Sequence, residues 1–159
     1  MKSETDDKQA PLGIKIILIF ICILLFPIIL IAAIIYYSWS LILSIAMWTF
    51  WNLRGHDVLF VYSNSPVWSD YIEQKIFPNI SGRAIVLNWS DRKRWRLSLA
   101  VLVFKRFGGT RGFNPIAIVF RPFRLHKIFR FYEEFKDFKH GKTESLERKR
   151  MDFFKAIEP

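Results

Sequence analysis

The sequence predicts an α/β architecture in which an N-terminal transmembrane helix is followed by one domain of element order βαβαββα. Three observations carry this reading. Between Gly13 and Leu53 the only charged residue is Lys15. Beyond Arg54, short apolar runs of strand type alternate with longer helical ones. The whole chain has 159 residues, room for one membrane segment and one domain of about a hundred residues. The expected organisation is a polar tail at 1–13, a transmembrane helix plus a second apolar or interfacial segment at 14–54, and the α/β domain at 55–159.

The anchor comes first. Residues 16–35 read IILIFICILLFPIILIAAII, and twenty such residues rise about 30 Å as a helix, the thickness of a hydrocarbon core. The run is too long for a cleaved signal peptide and no small-x-small site follows it. Pro27 sits mid-span, where membrane helices tolerate a kink. YYSWS at 36–40 has the character of a headgroup belt. LILSIAMWTFW at 41–51 is apolar again but short for an independent crossing, so one span followed by an interfacial helix is favoured over a tight hairpin. Lys and Arg number 24 against 14 Asp and Glu, a formal charge of +10. Lys2, Lys8 and Lys15 balance Glu4, Asp6 and Asp7, so the excess lies from Arg54 onward. The positive-inside tendency then puts the C-terminal domain in the cytoplasm under either topology.

Within the domain, 57–62 (DVLFVY) is a short buried strand. Ser65 stands where an N-cap belongs, Pro66 at the first helical position, and Asp70 and Glu73 near the positive helix end, predicting a helix over 66–77 that Pro78, Asn79 and Gly82 terminate. Residues 83–88 supply a second strand. A helix over 94–107 is apolar on nearly every side, so it is buried or leans on a partner or a bilayer. Arg92, Lys93, Arg94 and Arg96 crowd its entrance, the unfavourable end for cations. Asn114-Pro115 leads into a third strand at 116–120. Residues 127–132 alternate as a half-buried fourth strand, with Phe129 and Phe131 on one face and Arg130 on the other. Residues 133–142 read as a polar segment with a Gly turn. From Thr143 an amphipathic helix closes the domain, with Leu146, Phe153 and Ile157 on one stripe and Glu144 placed to meet Arg148.

Several chemistries find little to stand on. Cys22 is the only cysteine and lies in the apolar run, and His56, His126 and His140 are scattered, so neither a disulfide framework nor a metal-ligand spacing is present. No cofactor is implied. The glycines of GGTRG (108–112) invite a phosphate reading, but the Lys-Ser/Thr of a P-loop is missing and a strand follows where a helix should open. Asn79 and Asn88 stand in glycosylation patterns, relevant only to a lumenal domain. Basic and aromatic residues interleave in FKRF and RPFRLHKIFRFY, as in single-strand nucleic-acid binders; a strand with a charged solvent face has the same pattern, and nucleic acid is disfavoured as a partner.

The element order, the junction YSNSPVWSD and the Asn114-Pro115-Ile116 step together resemble the thioredoxin fold, and the resemblance spans essentially all of 57–158. It implies a cis Pro115 beside the first helix terminus. It also implies a Cys-x-x-Cys there, and this chain has Pro66-Val67-Trp68-Ser69 or, one register earlier, Ser65 to Trp68. Thiol–disulfide exchange needs a thiolate at that terminus, so no oxidoreductase activity is expected. Ser65 reads as a cap rather than a nucleophile, because no base is near it in sequence.

Two functions follow. The first is a redox-inactive module that binds a protein partner through helix 94–107 or lies on anionic lipid through Arg92, Lys93, Arg94 and Arg96. The second is an enzyme holding a thiol cosubstrate or a nucleotide at 63–70, of glutathione-handling or Toll/interleukin-receptor type, the latter suggested by the similarity of HDVLFVYS and Trp68 to the opening of those domains. The candidate binding residues are Ser63, Asn64, Ser65, Trp68 and Pro115. No residue is assigned a catalytic or metal-binding role.

Overall fold

The computed structural model describes residues 12–110 and 114–158. The polar tail through residue 11 and residues 111–113 of the glycine loop lie outside the described residues. The chain forms two compact units, Met1–Ser40 and Leu41–Pro159.

In the first unit the described residues belong to helix α1 (Leu12–Phe50), which contains Pro27 without interruption. The large apolar side chains of this stretch, from Ile14 to Trp39, are exposed. An 18-residue window here reaches a mean hydropathy of 3.4, and the helix is long and apolar enough to cross a membrane. At 1.5 Å per residue, 39 residues span about 58 Å, well beyond the ~30 Å of hydrocarbon.

The expected separation between a span and an interfacial segment at 36–40 does not occur: α1 runs through YYSWS unbroken. Nothing there interrupts a helix, since Tyr, Trp and Ser cost only a few tenths of a kcal/mol each relative to Ala. The Ser40 hydroxyl donates to the Tyr36 carbonyl at 2.9 Å, which satisfies it without leaving the helix.

The second unit is built on a four-stranded mixed sheet of order β2-β1-β3-β4. Strand β1 (Val58–Tyr62) pairs parallel with β2 (Ala84–Asn88) and antiparallel with β3 (Ile116–Val119), which pairs antiparallel with β4 (Lys127–Arg130). The period-2 alternation of strands sorts their side chains between two cores. On one face Leu59, Val61, Ile116, Ile118 and Phe120 meet helix α4 (Leu99–Phe107) and the end of α1, which contributes Leu43, Met47 and Trp51. On the other, Val58, Phe60, Ala117 and Val119 meet Ile72, Ile76 and Ile80 and the phenylalanines 131, 135 and 153. The residues Leu43, Met47 and Trp51 recur every four positions, one stripe of a helix, and are 2, 1 and 7 % exposed. The last turns of the apolar run are thus a layer of the domain.

The connection after β1 departs from expectation in register. Residues 66–68 form a turn, α2 (Ser69–Tyr71) follows, Ile72–Ile76 widen into a π turn, and α3 (Phe77–Ile80) completes the segment. Pro78 therefore lies inside the helical segment instead of ending it. The Phe77 N–H bonds to the Ile72 carbonyl five residues back, and this wider turn accommodates a ring that a regular helix would exclude. The expected polar segment at 133–142 is largely helix α5 (Tyr132–Lys139) with Phe135 buried. Helix α6 (Glu144–Ile157) buries Leu146, Phe153 and Ile157 as its stripe requires. Among the described residues the expected Glu144–Arg148 ion pair does not form; instead Lys149 meets Glu134 and Arg150 meets Glu147, both at 2.5 Å.

Asp57 fastens one end of the sheet. Its carboxylate accepts two hydrogen bonds from Arg83, that from Nε at 2.8 Å, its N–H donates to the Arg83 carbonyl, and its carbonyl accepts from Phe120. The hydrogen bond to Asp57 holds the Arg83 guanidinium above its ordinary pKa. The chain reaches this corner through Gly55, whose φ of 79° is a conformation that favours glycine.

Candidate functional site

The register places the predicted residues at the other end of the sheet. Val61 pairs with Ile116 and Tyr62 with Asn88, so the end of β1, the end of β2 and Pro115 at the start of β3 share one edge. The Asn114–Pro115 bond is cis, and the buried Pro115 accepts through its carbonyl from Phe131 N–H at 2.9 Å.

The junction after β1 is tied together internally. Ser65 N–H donates to the Ser63 carbonyl at 2.8 Å, and the Ser65 carbonyl accepts from Trp68 and Ser69 N–H at 3.2 and 2.9 Å. The Ser65 hydroxyl accepts from Val67 N–H at 3.4 Å within the turn and is not the expected helix cap: with the helix displaced to Ser69, the cap position is Trp68, which makes no side-chain cap bond. Trp68 donates its indole N–H to the Ser63 carbonyl at 3.2 Å and packs on Phe135 with centroids 5.8 Å apart. Asn64 reaches across to β2: its N–H donates to the Ser90 hydroxyl at 3.1 Å and its side-chain oxygen accepts from Asn88 Nδ2 at 2.8 Å. Asn88 in turn accepts from Ser90 N–H at 2.9 Å. All five candidate binding residues thus have polar groups engaged within the fold.

Around this junction two phenols are held protonated. Tyr62 is raised above the ordinary tyrosine value by burial, then by Glu73 and Asp91. Tyr71 is raised by burial and by its 2.7 Å hydrogen bond to Glu147.

The basic residues also belong to this end, in a different setting from the one expected. Trp89–Arg94 form a 3-10 helix with Arg92, Lys93 and Arg94 in its last turn. Helix α4 starts only at Leu99, capped by the Ser98 hydroxyl, which accepts from Val101 N–H at 3.4 Å. The cations therefore stand at a carbonyl-rich C-terminal turn, the end that favours them, and no compensation at the α4 entrance is needed. All four, including Arg96 in the link, are exposed. Among the described residues none lies within ion-pair distance of a carboxylate.

Helix α4 is not apolar all round in its setting: Ala100, Val101, Val103, Phe104 and Phe107 are buried against the unit's own sheet. What 94–107 leaves for a partner is Leu97, 80 % exposed, and the edges of Leu99 and Leu102. The sequence reading missed the aromatic cluster beside the basic turn, Trp89, Trp95 and Phe104. Two tryptophans six residues apart across an irregular segment carry no periodicity that would have announced it. Among the described residues no three His, Cys, Asp or Glu side chains come together as metal ligands.

No protein family, curated protein or solved structure matches the chain.

Proposed function

We propose that the chain is a membrane-tethered thioredoxin-like module without a redox thiol, whose basic turn rests on an anionic, cytoplasmic bilayer surface. The single observation that carries the surface role is the group of four exposed cations without carboxylate partners, in a chain that also holds a helix long enough to cross a membrane. Each such cation near an anionic leaflet contributes about 1 kcal/mol. The thioredoxin-like reading is supported by the strand order, the helices on both faces and Pro115 sharing an edge with the β1 junction. On this reading the place of that fold's sulfurs falls at Pro66 to Ser69 or at Ser65 to Trp68, neither of which holds a cysteine, and Cys22, the chain's one cysteine, lies in the apolar helix.

The thiol-cosubstrate and nucleotide readings draw less support, since Asn64 N–H and the Trp68 indole N–H are already bonded within the fold. The test uses the full chain in nanodiscs, with Cys22→Ser and a fluorophore on Lys93→Cys. Quenching by headgroup-labelled lipid rises when phosphatidylserine replaces phosphatidylcholine and falls again with added salt. Equal quenching in both lipids removes the surface role.

A further inference from the structure

Beside the basic turn lies a pocket of about 550 Å³ with a largely apolar wall, bounded by Trp89, Trp95 and Phe104, with Arg92 and Lys105 at its margin and Gly109 on the facing loop. This volume is within the range of small-molecule sites, roughly 300–1,000 Å³. The three rings hold one another edge to face, with centroids 5.6 to 5.7 Å apart, so the wall is formed before any ligand arrives. Trp95 directs its indole N–H to the Asn88 carbonyl at 3.1 Å, and what it turns to the pocket is hydrocarbon. Arg92 lies over the Trp89 ring, 5.0 Å from its centroid, and donates to the Trp89 carbonyl at 3.3 Å. Its guanidinium is thereby held at the margin with donors to spare.

The charge is one-sided. Among the described residues no carboxylate pairs with Arg92, Lys105 or Arg130. Arg130 belongs to the same locality: its guanidinium stands 3.0 Å from where a Cβ on Gly109 would be, and Gly109 has a φ of 81°. A side chain there would be strained and would displace the cation.

We propose that this pocket binds an amphipathic organic anion, an aromatic or alkyl body joined to a phosphate. A neutral apolar molecule leaves the cations without partners, and inorganic phosphate leaves the aromatic wall wet; one molecule satisfies both only by carrying both parts. The proposal shares Arg92 with the membrane-surface reading, in which Lys105, Trp95 and Phe104 take no part.

The test is calorimetric titration of the full chain in neutral detergent with 1-naphthyl phosphate, alongside 1-naphthol and inorganic phosphate. Saturable binding of the phosphate ester, about tenfold or more tighter than either part alone, is the expected result, in keeping with charge-assisted hydrogen bonds. Arg92→Gln with Lys105→Gln weakens it by at least about tenfold, while circular dichroism and the thermal midpoint stay as in the parent because both side chains are on the surface. Lys93→Gln with Arg94→Gln, on the same turn but outside the pocket, binds as the parent does. Displacement by dihexanoyl phosphatidic acid assigns the source to membrane lipid, and its failure to displace assigns a soluble anion. Binding of 1-naphthol as tight as that of the ester, or equal losses in the two double variants, overturns the proposal.

Discussion

The two faces of the sheet are covered by different means. One is closed by segments that follow β1 and β4 in the domain itself, and its filling is dominated by aromatic rings: Phe153 alone contacts Phe60, Phe129, Phe131 and Phe154 with centroids 5.5 to 6.5 Å apart. The other is closed by α4 together with the last turns of α1, through Leu43, Met47 and Trp51. A helix whose earlier turns suit a bilayer thus ends as a structural layer of the folded unit. The apolar composition runs on unchanged from the stretch long enough to cross a membrane into the buried layer, and only the four-residue spacing of the buried side chains marks the change.

This comparison is broken most severely by truncation. A chain beginning at residue 55 lacks Leu43, Met47 and Trp51, each worth about 2–5 kcal/mol as a buried large side chain, a sum comparable with the whole stability of a domain, about 5–15 kcal/mol. It is expected to lose cooperative urea unfolding by circular dichroism, whereas a chain beginning at Leu41 keeps it. Cooperative unfolding of the shorter chain at an unchanged midpoint would show that the end of α1 merely touches the sheet.

Single substitutions sharpen the same point on each face. Phe153→Ala is expected to destabilise by about 3–5 kcal/mol and Met47→Ala by about 2–5 kcal/mol, read as shifts of the urea midpoint. A loss below about 1 kcal/mol for Met47→Ala alone would make the two faces unequal. The smallest effect is electrostatic and lies at the edge of the α1 face, where His126 packs on Phe107 at 4.3 Å. Burial, and then Arg106, hold His126 below the ordinary histidine pKa. The folded state therefore takes up its proton less readily than the unfolded one. Its effect is nil above about pH 6.5, the unfolded value. Stability falls as pH drops through that value and levels off below the folded pKa. His126→Gln is expected to lose less stability than the parent between pH 7.5 and 5.5.

What the sequence made legible follows the strength of its periodicity. Three strands stood out as short apolar runs between turn residues and the fourth as an alternation around Phe129 and Arg130, and the α6 stripe of Leu146, Phe153 and Ile157 was plain. Helix α5 was hidden because six of the ten residues at 133–142 are charged; its signal was Phe131, Phe135 and Phe138 at helical spacing, with Phe131 counted towards the preceding strand. The α1 layer was hidden inside an uninterrupted apolar run, where Leu43, Met47 and Trp51 do not stand out from Ile42 and Ile45. The three-residue displacement of the helix after β1 came from the turn at 66–68 and the π turn, which no local pattern at Ser65-Pro66 encodes. Of the candidate site, the sequence located the junction, Pro115 and the basic turn; that they share one edge is a property of strand register, and the aromatic pocket is a property of packing.

The central claim, that the end of α1 belongs to the domain core, is tested most directly by a double-mutant cycle on Trp51 and Phe120, whose rings lie 5.1 Å apart across that layer. Measured in the full chain by urea unfolding, Trp51→Ala, Phe120→Ala and the double variant are expected to give a coupling of about 0.5–1.5 kcal/mol, as for a packed aromatic pair. Strictly additive losses would contradict it.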